Sequence, residues 1–375
     1  MKMKPTDELK YRIALSLLPN VGPVLARNLV SYCGSVEAVF KQKLKALEKI
    51  PEIGPKTAEK ITKHTLFARA DEEVEFIMKH DIQTYFYLDE NYPQRLKHCH
   101  DAPILLYFKG NADLNKSRII AMVGTRNASD YGKNITEKLI EELATLDVTI
   151  VSGLAYGIDI HAHRAALKSE IPTIAVMAHG LDRIYPGQHR STAAKMIKYG
   201  GLLTEYPSNT NPDRENFPSR NRIVAGICDA VIVVEAAKKG GALITADIAH
   251  SYSRDVFAVP GRLDDQYSEG CNNLIKINRA ALITSAADVS YLMGWERAAN
   301  LEKEIVSKAI QKQLFIDLNV EEEALVKILE QNSKADIDSL AMDLQWPFTK
   351  LSSVLLGMEM KGLLKTLPGK KYQLL

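Results

Sequence analysis

The sequence predicts an α/β protein: a doubly wound, mostly parallel sheet with a small all-helical module before it and a helices-plus-hairpin module after it. Three observations carry this prediction. Over residues 80–297, short apolar runs rich in Val and Ile alternate with helical stretches. Over 1–75 the apolar spacing is helical and contains a repeat, and over 319–375 three helical stretches precede two β segments around Pro368-Gly369.

In the central region the candidate strands are Thr84–Leu88, Ile104–Phe108, Ile119–Val123, Thr149–Val151, Thr173–Met177, Leu202–Thr204, Ala230–Val234, Val256–Val259 and Ala281–Thr284. Several are continuously apolar, as strands buried on both faces of a parallel sheet must be. The stretches between them suit crossover helices. Ile135–Leu146, with Leu139, Ile140 and Leu143 on one face, is the clearest. The pattern is that of an extended Rossmann-like, doubly wound domain.

The N-terminal repeat is Leu18-Pro19-Asn20-Val21-Gly22-Pro23 and, thirty-two residues on, Ile50-Pro51-Glu52-Ile53-Gly54-Pro55. Each copy runs into a helix, Pro pre-setting its first turn. Free amides at such a helix start can receive a phosphate. The pair resembles a tandem helix-hairpin-helix of the SAM-like kind, a grip on nucleic-acid backbone. Residues 1–69 carry 13 Lys and Arg against 6 Asp and Glu, which favours that reading. At the other end, Glu321–Gln331, Asp336–Asp343 and Phe348–Lys361 read as helices, followed by Leu363 to Leu374 as a hairpin, the order of a winged helix. A linker is expected over 298–318. The last module, 301–375, has no arginine and 10 Lys against 11 Asp and Glu. Lys350, Lys361, Lys365, Lys370 and Lys371 could form a patch, but a protein-docking or weak duplex-binding role fits better.

Composition excludes several classes. No apolar run nears the ~20 residues of a membrane span, and Met1 to Lys10 is too polar for a secretory leader, so a cytoplasmic protein is expected. Cys33, Cys99, Cys228 and Cys271 are scattered, with no C-x-x-C pair; reduced thiols are expected rather than zinc or disulfides. Asp159, His161 and His163 follow one another at i, i+2, and such successive positions do not share a helix face, so no metal site is assigned.

Ligands of open α/β sheets bind outside the carboxyl ends of the strands. Five post-strand loops there carry Gly, Ser, Thr, Asn or Arg: Gly124-Thr125-Arg126, Ser152-Gly153, the stretch Asp213 to Gly226, Gly240-Gly241, and Pro260-Gly261-Arg262 with Gly270 to Asn273. Five loops at one edge point to a polyanion. Phe217, read as extended because Pro218 follows, stands among Arg214, Arg220, Asn221 and Arg222, the mixture of stacking face and cation that suits single strands. The alternative packs Phe217 inward and pairs the arginines with Asp213 and Glu215. No cofactor fingerprint, Walker sequence or catalytic triad is present. Glu205 and Glu235 end strands, which leaves open a hydrolase acting on the N-glycosidic bond of a nucleotide.

The motifs Met122-Val123-Gly124-Thr125-Arg126, Ser152 to Asp159, Phe217-Pro218-Ser219-Arg220-Asn221-Arg222 to Gly226, Gly241 to Ala246 and Ala258-Val259-Pro260-Gly261 closely resemble the DprA/Smf family. The resemblance implies single-stranded DNA binding, a homodimer formed through the central domain, and loading of the RecA recombinase during natural transformation. It matches Arg126 to a DNA-contacting arginine and Phe217 to a base-contacting aromatic, with Arg214 where some members carry a basic contact. Tyr156 and Gly187 depart from it, standing where members carry basic residues. The rival hydrolases belong to the related Rossmann-like phosphoribohydrolase group, whose P-G-G-x-G-T-x-x-E motif is incomplete in Lys239 to Ala246.

Overall fold

The computed structural model describes residues 5–295, 318–331, 335–361, 363–367 and 371–374. Two compact units divide between Met293 and Gly294.

The first unit opens with helices α1 (Pro5–Ser16), α2 (Pro23–Cys33), α3 (Val36–Lys41), α4 (Leu44–Leu47), α5 (Pro55–Thr62) and α6 (Leu66–His80). The repeat is structural. Pro23 and Pro55 each take the first helical position, with Gly22 and Gly54 as N-caps. Two residues before each glycine, Asn20 and Glu52 both have φ of 66°. The amides of Val21 and Ile53 donate back to Leu18 (3.3 Å) and Ile50 (3.1 Å). Pro at the second position and positive φ at the third are the marks of a type II turn, so the same turn enters both helices.

Strands β1 (Gln83–Phe86) and β2 (Leu105–Gly110) follow, with the short α7 (Gln94–Lys97) between them. The chain then alternates: β3 (Ile119–Val123), α8 (Asp130–Leu143), β4 (Thr149–Ser152), α9 (Ile158–Lys168), β5 (Thr173–Val176), α10 (Arg190–Lys198), β6 (Gly200–Thr204), α11 (Asn216–Ile227), β7 (Ala230–Val233), α12 (Gly241–Ser251), β8 (Asp255–Ala258), α13 (Glu269–Lys276), β9 (Ala281–Leu282) and α14 (Ala286–Leu292). Each strand read from the sequence overlaps one of these. The sheet order is β1-β2-β6-β5-β4-β3-β7-β8-β9. β1 and β6 flank β2 antiparallel; from β6 to β9 all pairs are parallel. The chain runs outward from β3 to β6, then returns to lay β7 on the other side of β3. The switch point of the sheet therefore lies between β3 and β7.

Alternation along the strands feeds separate cores. Ile174, Val176 and Leu203 face one cluster, with Ile223, Val224 and Ala246; Ala175, Met177 and Leu202 face another, with Ile160 and Met196. On β2, Leu106 and Phe108 point into the sheet's core, whereas Leu105 and Tyr107 join Ile13, Leu29 and Ile61 of the N-terminal helices. The boundary near residue 75–80 expected from composition is thus a change of structure type within one packed body. A buried carboxylate clasps it: Glu73 on α6 accepts from the Ser208 amide (2.9 Å) and hydroxyl (2.5 Å) and from Arg69 (2.7 Å).

The second unit contains α15 (Val320–Gln331), β10 (Ala335–Asp336), α16 (Ile337–Leu344), α17 (Phe348–Met360), β11 (Leu364–Leu367) and β12 (Lys371–Leu374), with sheet order β10-β12-β11. Leu325, Leu340, Leu351, Leu355 and Met358 form its core. The two-residue β10 was not foreseen. The hairpin's Pro368 to Lys370 turn and residues 298–317 of the expected linker lie outside the described residues. The cysteines are free thiols. Among the described residues no helix is long and apolar enough to cross a membrane.

Truncating Glu73 leaves the Ser208 donors and Arg69 without their buried acceptor. Glu73→Ala is expected to cost about 3 kcal/mol of stability, read from urea denaturation; a loss below about 1 kcal/mol would show that the clasp contributes little.

Candidate nucleic-acid interface

A trough of about 640 Å³ opens at the switch point. Its walls come from the loops after β3, β4, β6 and β7, so four of the five loops singled out converge on it, and Gly124, Thr125, Arg126, Gly153, Arg214, Phe217, Arg220, Asn221, Gly240 and Gly241 all line it. The fifth loop does not: the Gly261 amide and carbonyl are bonded to the Asn272 side chain (3.1 and 3.0 Å), closing that segment on itself.

The rim is aromatic and cationic. The Arg126 guanidinium lies over the Phe217 ring at 5.5 Å, within range of a cation–π contact. Tyr185, from the segment after β5, has its ring 6.0 Å from that of Phe217. It is half exposed and, with Lys239 and Thr245, lines the trough. Sequence reasoning left these three out of the site. Tyr185 precedes a proline far from any strand end, so only the fold brings it in. Arg126 and Arg214 are exposed, and no carboxylate pairs with either among the described residues. The expected alternative pairing with Asp213 or Glu215 does not form. Across the trough, α12 starts at Gly240-Gly241 without a side-chain cap, which leaves first-turn amides open.

Phe217 is not extended as expected. It lies in the first turn of α11, which begins at Asn216. Pro218 is tolerated there because first-turn amides have no intrahelical acceptor to lose.

Three other site residues are placed differently from the expectation. Ser152 is fully buried beneath the trough and donates to the Met122 carbonyl at 2.7 Å. Arg222 turns away, donating to the Asp101 carbonyl (2.6 Å) and pairing with Glu205. Arg220 reaches the trough wall but is only 4% exposed, its guanidinium bonded to the carbonyls of Gly153 (2.7 Å) and Val176. A buried donor already satisfied by carbonyls has little left for a phosphate. Gly153 serves this packing: a Cβ there would collide with the Arg220 guanidinium. Gly157 is constrained by its backbone, with φ of 76° and the Thr125 carbonyl where a Cβ would stand.

The two carboxylates that a hydrolase would draw on are committed to structure. Glu235 is buried and accepts from the Ser129 amide (3.0 Å) and hydroxyl, fixing the start of α8. Glu205, its carboxyl raised by burial, belongs to Arg222. Neither lines the trough. Asp159 does, but its carboxylate accepts from the amides of Gly153 (3.2 Å) and Ala155 (3.3 Å), and burial raises its pKa against the opposing pull of Arg220. His163 is buried against the Thr173 hydroxyl and its pKa is pushed down to about 3 by burial, so it is neutral.

A family model described as DNA recombination-mediator protein A matches residues 83–294. Protein Smf of Synechocystis sp. is 33% identical over 98% of this chain and 99% of its own length. The chain belongs to the DprA/Smf family. Further models, a SAM-like helix-hairpin-helix tandem and a DprA winged helix domain, match residues 13–64 and 316–370. DNA processing protein DprA of Streptococcus pneumoniae is 45% identical over 54% of this chain and 71% of its own. An X-ray structure of the pneumococcal DprA superposes with a TM-score of 0.65 at 36% identity, covering 77% of this chain and 98% of that one. DNA processing protein A of Helicobacter pylori, described for its single-stranded DNA binding mode, gives a TM-score of 0.52 at 31% identity over 57% of this chain and 96% of its own.

The two kinds of arginine separate by stability. Arg222→Ala strands the buried Glu205 and is expected to cost about 3–5 kcal/mol, whereas Arg126→Ala, on the surface, should change stability by no more than about 0.5 kcal/mol. Chemical denaturation of the two variants checks this; equal losses would mean that Arg126 also supports the fold.

Proposed function

We propose that this chain is a non-catalytic single-stranded DNA-binding protein, with the strand lying in the trough at the β3/β7 switch point. The observation that carries the reading is Arg126 over Phe217: an exposed guanidinium with no carboxylate partner among the described residues and an accessible ring, held together across the trough from an uncapped helix. Backbone phosphates would meet Arg126, Arg214, Lys239 and the first-turn amides of α12. Bases would stack on Phe217 and Tyr185, a contact indifferent to sequence because every base has a π-face. The binding mode described for the H. pylori relative supports the same ligand.

From the family we further infer that the chain acts in the cytoplasm as a homodimer, protects incoming single-stranded DNA and loads RecA onto it during natural transformation. The trough requires neither cofactor nor metal for this role. The nucleotide-hydrolase reading finds no support in the geometry, because its candidate carboxylates are engaged away from the trough.

Anisotropy titrations of oligo-dT and a matched duplex across 50–200 mM salt test the proposal. Single strands should bind more tightly, with affinity falling linearly in log salt. Phe217→Ala should lose about 1–3 kcal/mol per stacked base, and Arg126→Ala should weaken binding whatever the base sequence. Full affinity in both variants, or release of free base from nucleoside monophosphates at enzyme-like rates, would overturn the assignment.

A further inference from the structure

On the far side of Arg126 lies a second hollow, of about 350 Å³, between the starts of α8 and α9. Arg126 lines both hollows, so it forms the ridge between them. Accepting that the first trough holds a single strand, we propose that the strand continues over Arg126 into this second hollow, where Tyr156 stacks a base and Arg164 and Lys133 neutralise phosphates.

Four observations support the extension. The lining carries Arg126, Lys133, His161 and Arg164 and no carboxylate. Arg164 is exposed and makes no hydrogen bond or ion pair among the described residues. Among the described residues Lys133 pairs only with the exposed Asp130, at 2.8 Å, and such a pair is readily exchanged for a phosphate. Tyr156 is 42% exposed and stands edge-on against the buried His189 ring at 5.1 Å. That contact holds one side of the ring, and the exposed remainder is open to a base. A free anion would account for the cations but not for the presented ring or the ridge shared with the first trough.

His161 reports on occupancy. It faces Arg164 from its own helix and Lys133 and Glu137 from α8, and burial, then the two cations, hold its pKa below the usual value. A phosphate among these cations reverses that influence. The pKa should rise on binding, so binding should tighten as pH falls through the histidine range.

The test compares oligo-dT of about 6 and about 20 nucleotides, spanning the range of single-strand site sizes, on the full chain carrying Tyr156→Ala, Tyr156→Phe or Arg164→Gln. Tyr156→Ala and Arg164→Gln should each weaken the long strand about tenfold and the short strand much less. Arg164→Gln should also reduce the salt slope by about 0.7. Tyr156→Phe keeps the ring and should bind like the parent chain, the short-strand affinity retained by Tyr156→Ala and Arg164→Gln excludes misfolding, and the NMR-monitored His161 pKa should rise with the long strand. Parent-like long-strand affinity and salt slope in Tyr156→Ala and Arg164→Gln, with Arg126→Ala and Phe217→Ala still impaired, would overturn the extension alone. So would equal losses at both lengths, or thymidine monophosphate displacing the long strand from the hollow. If Arg126→Ala and Phe217→Ala also bound like the parent chain, the reading of the first trough would fall with it.

Discussion

The arrangement of the trough depends on one buried cation. Arg220 leaves α11 inward, and its guanidinium reaches the carbonyls of Gly153, just past β4, and of Val176, at the end of β5. The side chain thereby ties a helix from one crossover to the ends of two strands that are distant in sequence. Phe217 sits one turn earlier on the same helix, so its position relative to Arg126 is inherited from that tie. Gly153 and Asp159 complete it: the glycine makes room for the guanidinium, and the carboxylate holds the amides of the turn that passes beneath. Burying such polar groups is costly unless every donor finds an acceptor. The cluster is better understood as fixing geometry than as adding stability.

A second constraint does the same on the other side of the switch point. Glu235, at the end of β7, caps the Ser129 amide and hydroxyl at the start of α8, and its own carbonyl accepts from the Thr125 amide at 2.8 Å. The loop that presents Arg126 is therefore anchored at both ends by one residue, while among the described residues no carboxylate pairs with the guanidinium itself. Rigid support behind a free charged group is what a binding site needs if ordering entropy is not to be lost on association. The interior acids hold the site and leave its surface cationic.

The strands were legible because burial on both faces leaves continuous apolar runs that few other structures demand. The N-terminal repeat was legible because Pro and Gly have narrow backbone meanings. What residue type could not reveal was which arginines face solvent. Arg126, Arg214, Arg220 and Arg222 looked alike as guanidiniums near strand ends, yet two bind protein carbonyls. For Arg220 a signal existed: with Ile223, Val224 and Ile227 it falls on the i, i+3, i+4, i+7 face that α11 buries. For Arg222 the deciding partners, Asp101 and Glu205, are remote in sequence, so no local pattern could have found them. Tyr185 was missed for the same reason, being delivered by a long excursion after β5.

Charge bookkeeping shows why local geometry outranks totals. The full chain carries a formal net charge of only +2, and a uniform surface of that charge would hold no polyanion. What sets one edge of the sheet apart is its exposed cations, Arg126 and Arg214, which have no carboxylate partner among the described residues. The winged-helix unit illustrates the converse. Lys350 on its helix α17 and Lys361 just past the helix end are cationic, but Lys350 pairs with Glu321 at 2.7 Å and lies over the Trp346 ring, and Lys361 pairs with Glu322 at 2.6 Å. Those charges are neutralised within the unit, and Phe348, Leu356 and Met360 remain exposed on the same helix. Counting lysines would make this helix a DNA reader. Counting partners takes Lys350 and Lys361 out of any such patch.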